Sequence, residues 1–531
     1  MIIQRVLPAR RHQALHSVAS SRLIEQASAA ALPPGTLMRR AGLAVARWVR
    51  ALHPQARHIW VAAGPGGNGG DGLHAAAELA ACGHRVTVWW MPGPAPWPTD
   101  IAEGRQRAQS AGVRWVEPDY AAEHDPYPAD DPPDLALDAL LGLGCSRAPT
   151  GPMALAVKRL QQLRAVGCPV LSVDVPSGMS ADTGMAWGEP CVQADETLSL
   201  LTLKPGLFTG QGRALCGHLW FADLGSTSHW PVGQAASAWL SGGPWHEAQR
   251  TDVLHDRHKG SFGDVLIIGG APGMLGAARL AAHAAQAAGA GRTLVSLLDP
   301  LAPSGDVTRP EWLWVDQAWR WEARDLARTT VVCGCGGGDA VADVLPALLA
   351  QTHALVLDAD ALNAIAVAPE LQTLLADRAS RGHTTVLTPH PLEAARLLGV
   401  HTQDIQRDRL KAAASLAERY RSVTLLKGSG SVICVPGQPA WVNSTGNAAL
   451  AHGGSGDVLA GWIGGLMARW RGSPGDGGPT GVWALALRCT CAAAWLHGAA
   501  ADQSPLEASR ALDLVSAMHR LAGDGTALVR A

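Results

Sequence analysis

The sequence predicts an α/β protein with two successive domains, each built around a parallel β-sheet. The first observation is length, because 531 residues exceed what one ordinary hydrophobic core accommodates. The second is a repeated alternation of short β-rich apolar runs with Ala-rich segments, which is typical of parallel strands covered by helices on both faces. The third is composition, since 47% hydrophobic and 17% charged residues are enough to fill two cores.

The first half opens with Ala-rich, periodic segments over residues 12–52, which predict helices broken at 33–35. A glycine-rich turn at 63–72 follows the first predicted strand, and a helix is predicted at 74–82. The strands predicted in this half are 58–63, 85–90, 135–140 and 170–175.

The second half repeats this alternation after a stretch that lacks a sustained period. Residues 226–250 are rich in Ser, Gly, Pro and Trp, so we predict a first domain at 1–228, a linker at 229–250 and a second domain at 251–531. A solvated loop between two helices is predicted at 471–481. The strands predicted in this half are 264–270, 329–334, 354–360, 384–390, 423–428 and 432–437.

The charge balance narrows the classes of function. Lys plus Arg number 43 and Asp plus Glu number 45, and this net charge of -2 gives no reason to expect nucleic acid or an anionic membrane as a partner. No apolar run is long enough to span a bilayer, and the first residues lack the apolar core of a signal peptide. The 10 cysteines lack the paired spacing of a zinc site. We therefore predict a cytoplasmic protein with reduced thiols.

The glycine-rich turn, AGPGGNGGDG (63–72), presents backbone N–H groups in a way that suits an anion. Gly64, Gly66 and Gly69 satisfy the GxGxxG dinucleotide pattern. In dehydrogenases that pattern is accompanied by an acidic residue near the end of the next strand. Here that strand ends in Trp-Trp-Met-Pro (89–92), which disfavours an ordinary hydride-transferring dehydrogenase.

Polar residues near this turn favour a ligand site over a bare structural turn. Asn68 and Asp71 add groups that a bare turn does not require, and two later strands end in DALLGLG (138–144) and DVPSG (174–178). An isolated Asp at a strand end is more often a turn former or cap. Ligands in parallel sheets bind beyond the carboxyl ends of the strands, so the three segments are expected to converge on one cleft.

These three segments resemble the NAD(P)H-hydrate epimerase family over most of residues 12–225, and this implies a Rossmann-like three-layer domain. The resemblance implies a potassium ion held by Asn68, Asp138 and Ser177. It also implies that Asp174 is the acid/base for epimerisation at C6 of the hydrated nicotinamide ring. The substrate contacts that it implies are Gly69, Gly70, Asp71, Gly142, Leu143, Gly144, Cys145, Ser146, Arg147 and Ala148.

The second half contains the segment NSTGNAALAHGGSGDVLAG (443–461), in which a glycine-rich turn opens an apolar helix predicted to start near Val458. The N–H groups of Ser455, Gly456 and Asp457 are expected to face a transferring phosphoryl group. The Asp457 carboxylate is then placed to accept the proton of an attacking hydroxyl. The alternative is that Asp457 only caps the helix, but the preceding glycines favour close approach to a ligand.

This turn resembles the ribokinase-like superfamily, whose members transfer phosphate to hydroxyls, and the alternative function is therefore a small-molecule kinase fused to a degenerate binding domain. Further segments resemble NAD(P)H-hydrate dehydratase over most of residues 251–525, which implies a ribokinase-like α/β second domain. These segments are 258–285, 355–363, 387–399 and 425–430. The nucleotide contacts that the resemblance implies are Lys427, Gly428, Ser429, Gly430, Ser431 and Gly456. The implied contacts with the hydrated dinucleotide are Ala277, His390 and Asp457, and the turn ending at Gly336 is expected to face the same cleft.

The two resemblances together imply a metabolite-repair enzyme in which both activities are fused in one chain. Its epimerase half interconverts the R and S forms of NADHX and NADPHX, and its dehydratase half acts on the S form. Asp457 takes the proton of the C6 hydroxyl, the hydroxyl attacks the terminal phosphate of ADP, and departure of phosphate restores NADH or NADPH and leaves AMP. Magnesium is expected to offset the phosphate charge. The oligomeric state stays open, with a homo-oligomer as one option.

Two positions depart from the family pattern. The family usually has two asparagines in the first glycine-rich turn, and here the first is Gly67. The family commonly has Asn-Pro-Gly-Met-Ala-Thr before the second, where this chain has Asn-Ala-Ala-Leu-Ala-His (447–452). The first change puts binding of the substrate or the ion in doubt, and the second puts nucleotide contacts in doubt.

Overall fold

The computed structural model describes residues 2–116, 132–231, 233, 235–243, 255, 258–303, 305–471, 481–503 and 510–523. The chain divides into two compact units, which consist of Met1–Pro8 with Ala14–Ala238 and of Ala9–Gln13 with Trp239–Ala531. The stretch predicted as a linker, 229–250, contains a strand, and its last seven positions lie outside the described residues. Among the described residues, no helix combines the length and the apolar character needed to cross a membrane.

The elements of the N-terminal half follow the predicted alternation. The strands are β1 (Ile3–Arg5), β2 (Gln13–Leu15), β3 (His58–Ala63), β4 (Arg85–Trp90), β5 (Arg114–Val116), β6 (Leu135–Ala139), β7 (Val170–Val173), β8 (Glu196–Leu200), β9 (His218–Ala222) and β10 (Ala238–Leu240). The α-helices are α1 (Val18–Ala30), α2 (Thr36–Leu52), α3 (Gly67–Ala81), α4 (Thr99–Ser110), α5 (Gly151–Ala165) and α6 (Gly212–Cys216). The division between the two units falls within β2 and β10.

The sheet of the first unit has the order β1-β9-β8-β7-β6-β3-β4-β5. β1 is antiparallel to β9, and the other pairs are parallel. Successive residues of β3 enter different cores, because side chains alternate across a strand. Ile59 and Val61 pack with residues of α2 and α3, whereas Trp60 and Ala62 pack with residues of α5. Helices therefore cover both faces, and the predicted three-layer α/β architecture is confirmed.

The C-terminal half has more strands and helices in total, and they again alternate. The strands are β11 (Asp264–Gly269), β12 (Arg292–Leu297), β13 (Leu313–Trp314), β14 (Thr330–Cys333), β15 (Ala354–Leu357), β16 (Thr384–Leu387), β17 (Val423–Leu426), β18 (Val432–Cys434) and β19 (Ala440–Val442). The α-helices are α7 (Leu275–Ala287), α8 (Ala323–Arg328), α9 (Val341–Gln351), α10 (Asp360–Val367), α11 (Pro369–Ala376), α12 (Pro391–Leu398), α13 (Thr402–Arg407), α14 (Arg409–Tyr420), α15 (Ser455–Arg469), α16 (Ala484–Asp502) and α17 (Ala511–Gly523). Most of the loop predicted at 471–481 lies outside the described residues.

In the second unit, the strand order runs β13-β12-β11-β14-β15-β16-β17-β18-β19. The pairs from β13 to β17 are parallel, and β18 and β19 extend the sheet with antiparallel pairing. Helices α7, α15, α16 and α17 contribute to one large core, in which Ala281 and Trp462 are fully buried. The carboxyl ends of β14, β15, β16 and β17 therefore lie side by side, next to the start of α15.

Three local predictions differ from the structure. The stretch 12–52 was predicted as helices broken at 33–35, but it begins with β2. Helix α3 begins at Gly67 instead of position 74, and α15 begins at Ser455 instead of near Val458. Glycine has a low helix propensity, which hides these first turns in the sequence. Packing explains one of the glycines of α3, since a β-carbon at Gly69 would lie 1.9 Å from the carbonyl oxygen of Gly64.

Candidate active sites

The first unit has a cavity of about 410 Å³ at the carboxyl ends of β3, β6 and β7. Helices α1 and α2 also contribute to its wall. The predicted site residues that line it are Asn68, Asp71, Gly142, Leu143, Gly144, Cys145 and Asp174. The structure therefore brings the three predicted segments together at one cavity, whereas Gly69, Gly70, Ser146, Arg147 and Ala148 are outside its lining.

Two of the three predicted potassium ligands, Asp138 and Ser177, form a buried oxygen-rich pair. The Ser177 hydroxyl donates to Oδ1 of Asp138 over 2.6 Å, and the Ser177 backbone N–H donates to Oδ2 over 2.9 Å. Burial raises the pKa of Asp138, and the hydrogen bonds from Ser177 oppose that shift. Asn68 is 9% exposed, and neither atom of its amide has a hydrogen-bond partner among the described residues. A buried amide oxygen that has no partner among the described residues suits a hard cation, which prefers oxygen ligands.

Asp174 is tied to a buried lysine that the sequence analysis did not identify. Lys204 is 1% exposed, and its ammonium group donates to Oδ1 of Asp174. The Leu200 backbone N–H donates to the same oxygen over 3.0 Å. Asp174 also has a φ of 67°, a strained backbone conformation that is frequent at functional sites. β8 ends at Leu200, and a lysine shortly after this largely buried segment was the signal for it in the sequence.

A second carboxyl group faces this cavity from α3. Asp71 is half-buried, and desolvation raises its pKa well above the ordinary value. The negative charges of Asp174 and Glu25 raise it further, while Lys204 lowers it. Glu25 lies on α1 and lines the same cavity, and the sequence analysis assigned it no role. The cavity thus contains one carboxylate with a direct cationic partner and another that favours its neutral form.

In the second unit, Asp457 lies in the first turn of α15 and does not cap it. The residue before the helix is Gly454, with a φ of 93°, so the capping interpretation does not hold. Burial raises the pKa of Asp457 to about 6, and the negative charge of Asp358 contributes. The Cys335 thiol hydrogen-bonds to Asp457 and lowers that pKa, as does the charge of Lys427.

Lys427 faces Asp358, a residue to which the sequence analysis gave no role. Its ammonium group donates to Oδ1 of Asp358 over 2.7 Å, and the Thr388 hydroxyl donates to the same oxygen over 2.8 Å. Burial lowers the pKa of Lys427, but the charges of Asp358 and Glu393 outweigh it and the net shift is upward. A β-carbon at Gly456 would lie 3.4 Å from Nζ of Lys427, which places the predicted anion-binding turn beside this ion pair.

The loop that carries Lys427 is held from behind by a buried arginine. Arg409 donates to the carbonyl oxygens of Leu426 and Lys427 over 3.2 and 3.1 Å. Gly428 has a φ of 139°, and a β-carbon there would lie 2.8 Å from the Arg409 guanidinium. The predicted nucleotide-binding residues Ser429, Gly430 and Ser431 follow in the same turn.

Two predicted substrate contacts meet at the start of α7. Gly336 has a φ of 59°, and a β-carbon there would lie 2.9 Å from Cβ of Ala277. The third, His390, has a structural role, because its Nδ1 accepts from the backbone N–H of Leu392 over 3.1 Å at the start of α12. Its Nε2 lies 3.2 Å from Oε1 of Glu393. The ring is 45% exposed, so a substrate contact by His390 stays a prediction.

The thiol of Cys335 and the carboxylates of Asp358 and Asp457 place ligand atoms within 4.8 Å of one another. Magnesium prefers oxygen ligands and is usually held through substrate phosphates. The buried thiol, whose pKa lies well above its ordinary value, does not fit that preference. The trio as a whole therefore does not match a magnesium site.

Comparisons with known proteins cover both units. The NAD(P)H-hydrate dehydratase family model matches residues 265–521, and the YjeF-related protein N-terminus model matches residues 34–206. The bifunctional NAD(P)H-hydrate repair enzyme of Escherichia coli is 35% identical over 476 residues, with 88% of this chain and 84% of that protein covered. The chain belongs to the bifunctional NAD(P)H-hydrate repair enzyme family.

Other members of this repair enzyme family show similar coverage. The enzyme of Coxiella burnetii is 35% identical over 441 residues, with 82% of this chain and 85% of that protein covered. A solved ADP/ATP-dependent NAD(P)H-hydrate dehydratase from Bacillus subtilis, co-crystallised with ATP and magnesium, is 27% identical. It covers 51% of this chain and 93% of its own, with a TM-score of 0.41. The family predicted from the sequence is thus confirmed over both units, and a kinase fused to a degenerate domain is disfavoured.

Proposed function

We propose that the chain repairs hydrated nicotinamide dinucleotides in two steps, one in each unit. The first unit interconverts the R and S forms of NADHX and NADPHX. The second unit dehydrates the S form and consumes ADP. The observation that carries the proposal is Asp457, a carboxylate with a pKa of about 6 in the first turn of α15, beside Lys427.

The second unit's chemistry follows from the position of Asp457. Its ionised carboxylate takes the proton of the C6 hydroxyl, because a base with a pKa near working pH is mostly ionised and still accepts a proton. The hydroxyl oxygen attacks the terminal phosphorus of ADP, and AMP leaves. Phosphate then departs from C6 with the electrons of the C–O bond, and loss of a proton from C5 restores the dihydronicotinamide.

The nucleotide is bound by the α15 turn and the Lys427 loop. Backbone N–H groups of Ser455, Gly456 and Asp457 point along the positive end of the helix toward the phosphates. Lys427, Gly428, Ser429, Gly430 and Ser431 contact the nucleotide from the loop after β17. Magnesium offsets charge when it is carried on the phosphates, and we assign it no ligand from the chain.

In the first unit, Asn68, Asp138 and Ser177 hold a potassium ion that supplies positive charge near the phosphates of the substrate. The unpartnered amide of Asn68 supports this assignment. Asp174 acts on the C6 centre of the ring from the cavity wall. We further propose a cytoplasmic location, and homo-oligomer formation stays a prediction.

The test is recovery of the absorbance of reduced nicotinamide when the purified chain meets a mixture of R- and S-NADPHX with ADP, with ATP or with neither. Complete recovery with ADP supports both activities and the ADP preference. Recovery of the S fraction alone supports the dehydratase and contradicts the epimerase. No recovery with either nucleotide contradicts the repair function and returns the small-molecule kinase to consideration.

A further inference from the structure

The epimerase cavity contains more ionisable groups than a single acid/base residue and an ion require. Those that line it are Arg22, Glu25, Asp71, Asp100, Cys145 and Asp174. Lys204 lies behind Asp174 and is fully buried. Four of these groups are carboxyl groups, and two of the four, Asp71 and Asp174, differ in that only Asp174 is paired with Lys204.

Lys204 is placed to act through Asp174 and not on the substrate. Besides Asp174, its ammonium group donates to the Ser199 hydroxyl over 3.2 Å and to the Leu200 carbonyl over 2.9 Å. These three acceptors use the three protons of an ammonium group. Lys204 and the Leu200 N–H both bind Oδ1 of Asp174, so Oδ2 is the oxygen that remains for a ligand in the cavity. The arrangement fixes the carboxylate and supplies its counter-charge.

Asp71 reaches the cavity from the first turns of α3, and among the residues that the structure describes its carboxyl group has no ion-pair partner. Its surroundings combine desolvation with the negative charges of Asp174 and Glu25. Two nearby carboxyl groups, one held by a buried ammonium group and the other without such a contact, suit the roles of a base and an acid in one site. The neutral form of Asp71 carries a proton that it can give to a bound ligand.

We propose that Asp71 and Asp174 work as an acid–base pair in epimerisation and that Lys204 is the positioning residue that orients Asp174. This proposal rests on the proposed epimerase function of the first unit. Asp71 is then a catalytic residue in addition to any contact it makes with the substrate.

The proton transfers balance without a further reactant. Asp174 accepts the proton of the C6 hydroxyl as the oxygen forms a carbonyl and the bond from C6 to N1 breaks, with its electron pair moving to N1. Asp71 donates its proton to N1. The aldehyde rotates about the C5–C6 bond, N1 adds to its other face, and the two protons return to their first positions. Nothing is oxidised or reduced, and both carboxyl groups end as they began.

The experiment uses the full chain with R-NADPHX and ADP, so that the second unit converts each S molecule to NADPH as it forms. Asp71→Asn keeps the shape of the side chain but cannot transfer a proton, and we expect kcat for R-NADPHX to fall about 100-fold or more with little change in KM. Lys204→Met is expected to reduce kcat to a similar extent. Lys204→Arg retains a cation and is expected to recover part of that loss.

Matched controls separate this proposal from loss of folding. Glu78→Gln changes a carboxylate on the same helix, where Glu78 pairs with Arg107, and Lys158→Met removes an exposed lysine on α5. Both controls are expected to keep the wild-type rate on R-NADPHX. Thermal unfolding of the Asp71→Asn and Lys204→Arg proteins, compared with wild type, reports on the fold of the first unit.

The outcomes are distinct. A wild-type kcat in Asp71→Asn or in Lys204→Met overturns the acid–base pair while the epimerase function stands. A higher KM with an unchanged kcat for Asp71→Asn also overturns the acid–base pair, because that result assigns Asp71 to binding only. If the wild-type chain consumes S-NADPHX but never R-NADPHX, the epimerase function itself fails and this proposal fails with it.

Discussion

Each unit places a lysine against an aspartate, but the two sites use that pair differently. In the first unit, Lys204 contacts Asp174, the candidate acid/base itself. In the second, Lys427 contacts Asp358, which is a neighbour of the candidate base Asp457. Asp457 therefore lacks a direct cationic partner among these groups, and burial raises its pKa to about 6. The lysine therefore orients the candidate acid/base directly in the first site, whereas in the second it pairs with a neighbouring carboxylate and leaves the candidate base to burial and to the charge of Asp358.

The largest expected effect comes from replacing the Asp457 carboxylate of the second site. Asp457→Asn keeps the size of the side chain but removes the proton acceptor, so we expect dehydration of S-NADPHX to slow by about 10²–10⁴-fold. Epimerisation is expected to continue, because Asp174 and Lys204 lie in the other unit. Dehydration is measured as recovery of NADPH with ADP, and epimerisation as interconversion of separated R and S forms. Loss of both activities in a folded protein would show that the two sites are not separate.

The two sites also differ in the space around a glycine at the start of each helix. A β-carbon at Gly69 on α3 would meet the Gly64 carbonyl at 1.9 Å, whereas one at Gly456 on α15 would lie 3.4 Å from the flexible end of Lys427. We expect Gly69→Ala to destabilise the first unit by about 2 kcal/mol or more, because backbone must move. Thermal unfolding measures this loss.

Gly456→Ala is the matched substitution in the second unit. It is expected to leave unfolding unchanged and to raise KM for ADP, because the added methyl group occupies space at the predicted phosphate-binding turn. Equal destabilisation by both substitutions would contradict a ligand-facing role for Gly456.

Most of the strands that carry the predicted site turns were predictable from the sequence, whereas β8, β9, β12 and the charge pairs were not. β3 and β4 have the predicted ends, because buried parallel strands appear as continuous apolar runs bounded by turn residues. The convergence of the three predicted segments on one cavity followed from the rule that such turns share one edge of the sheet. Lys204 and Asp358 were missed because their partners lie 30 and 69 positions away in the chain, and only the strand order brings them together.

The rate of dehydration is expected to depend on pH through the ionisation of Asp457. Asp457 acts as a base only when it is ionised, and its pKa is about 6, so dehydration is expected to fall about tenfold per pH unit below that value and to level off above it. Asp358 raises this pKa, so Asp358→Asn is expected to move the midpoint to lower pH. Titration of the nucleotide phosphates is common to both proteins, and the difference between the two profiles therefore reports on Asp457. An unchanged midpoint in Asp358→Asn would contradict the coupling of the two carboxylates.

The smallest effect tests whether the first site is complete. A β-carbon at Gly67 would have no atom within 4 Å, so Gly67→Asn introduces the amide that the family usually carries without displacing its neighbours. One added hydrogen bond is worth about 1 kcal/mol, and we expect KM for R-NADPHX to fall about fivefold. Gly67→Ala is the control, because it raises helix propensity at least as much as Asn does and lacks the amide. If Gly67→Ala lowers KM as much as Gly67→Asn, the gain comes from a more ordered start of α3. If neither changes KM, the cavity binds its substrate fully through the groups already present, and the departure at Gly67 has no functional cost.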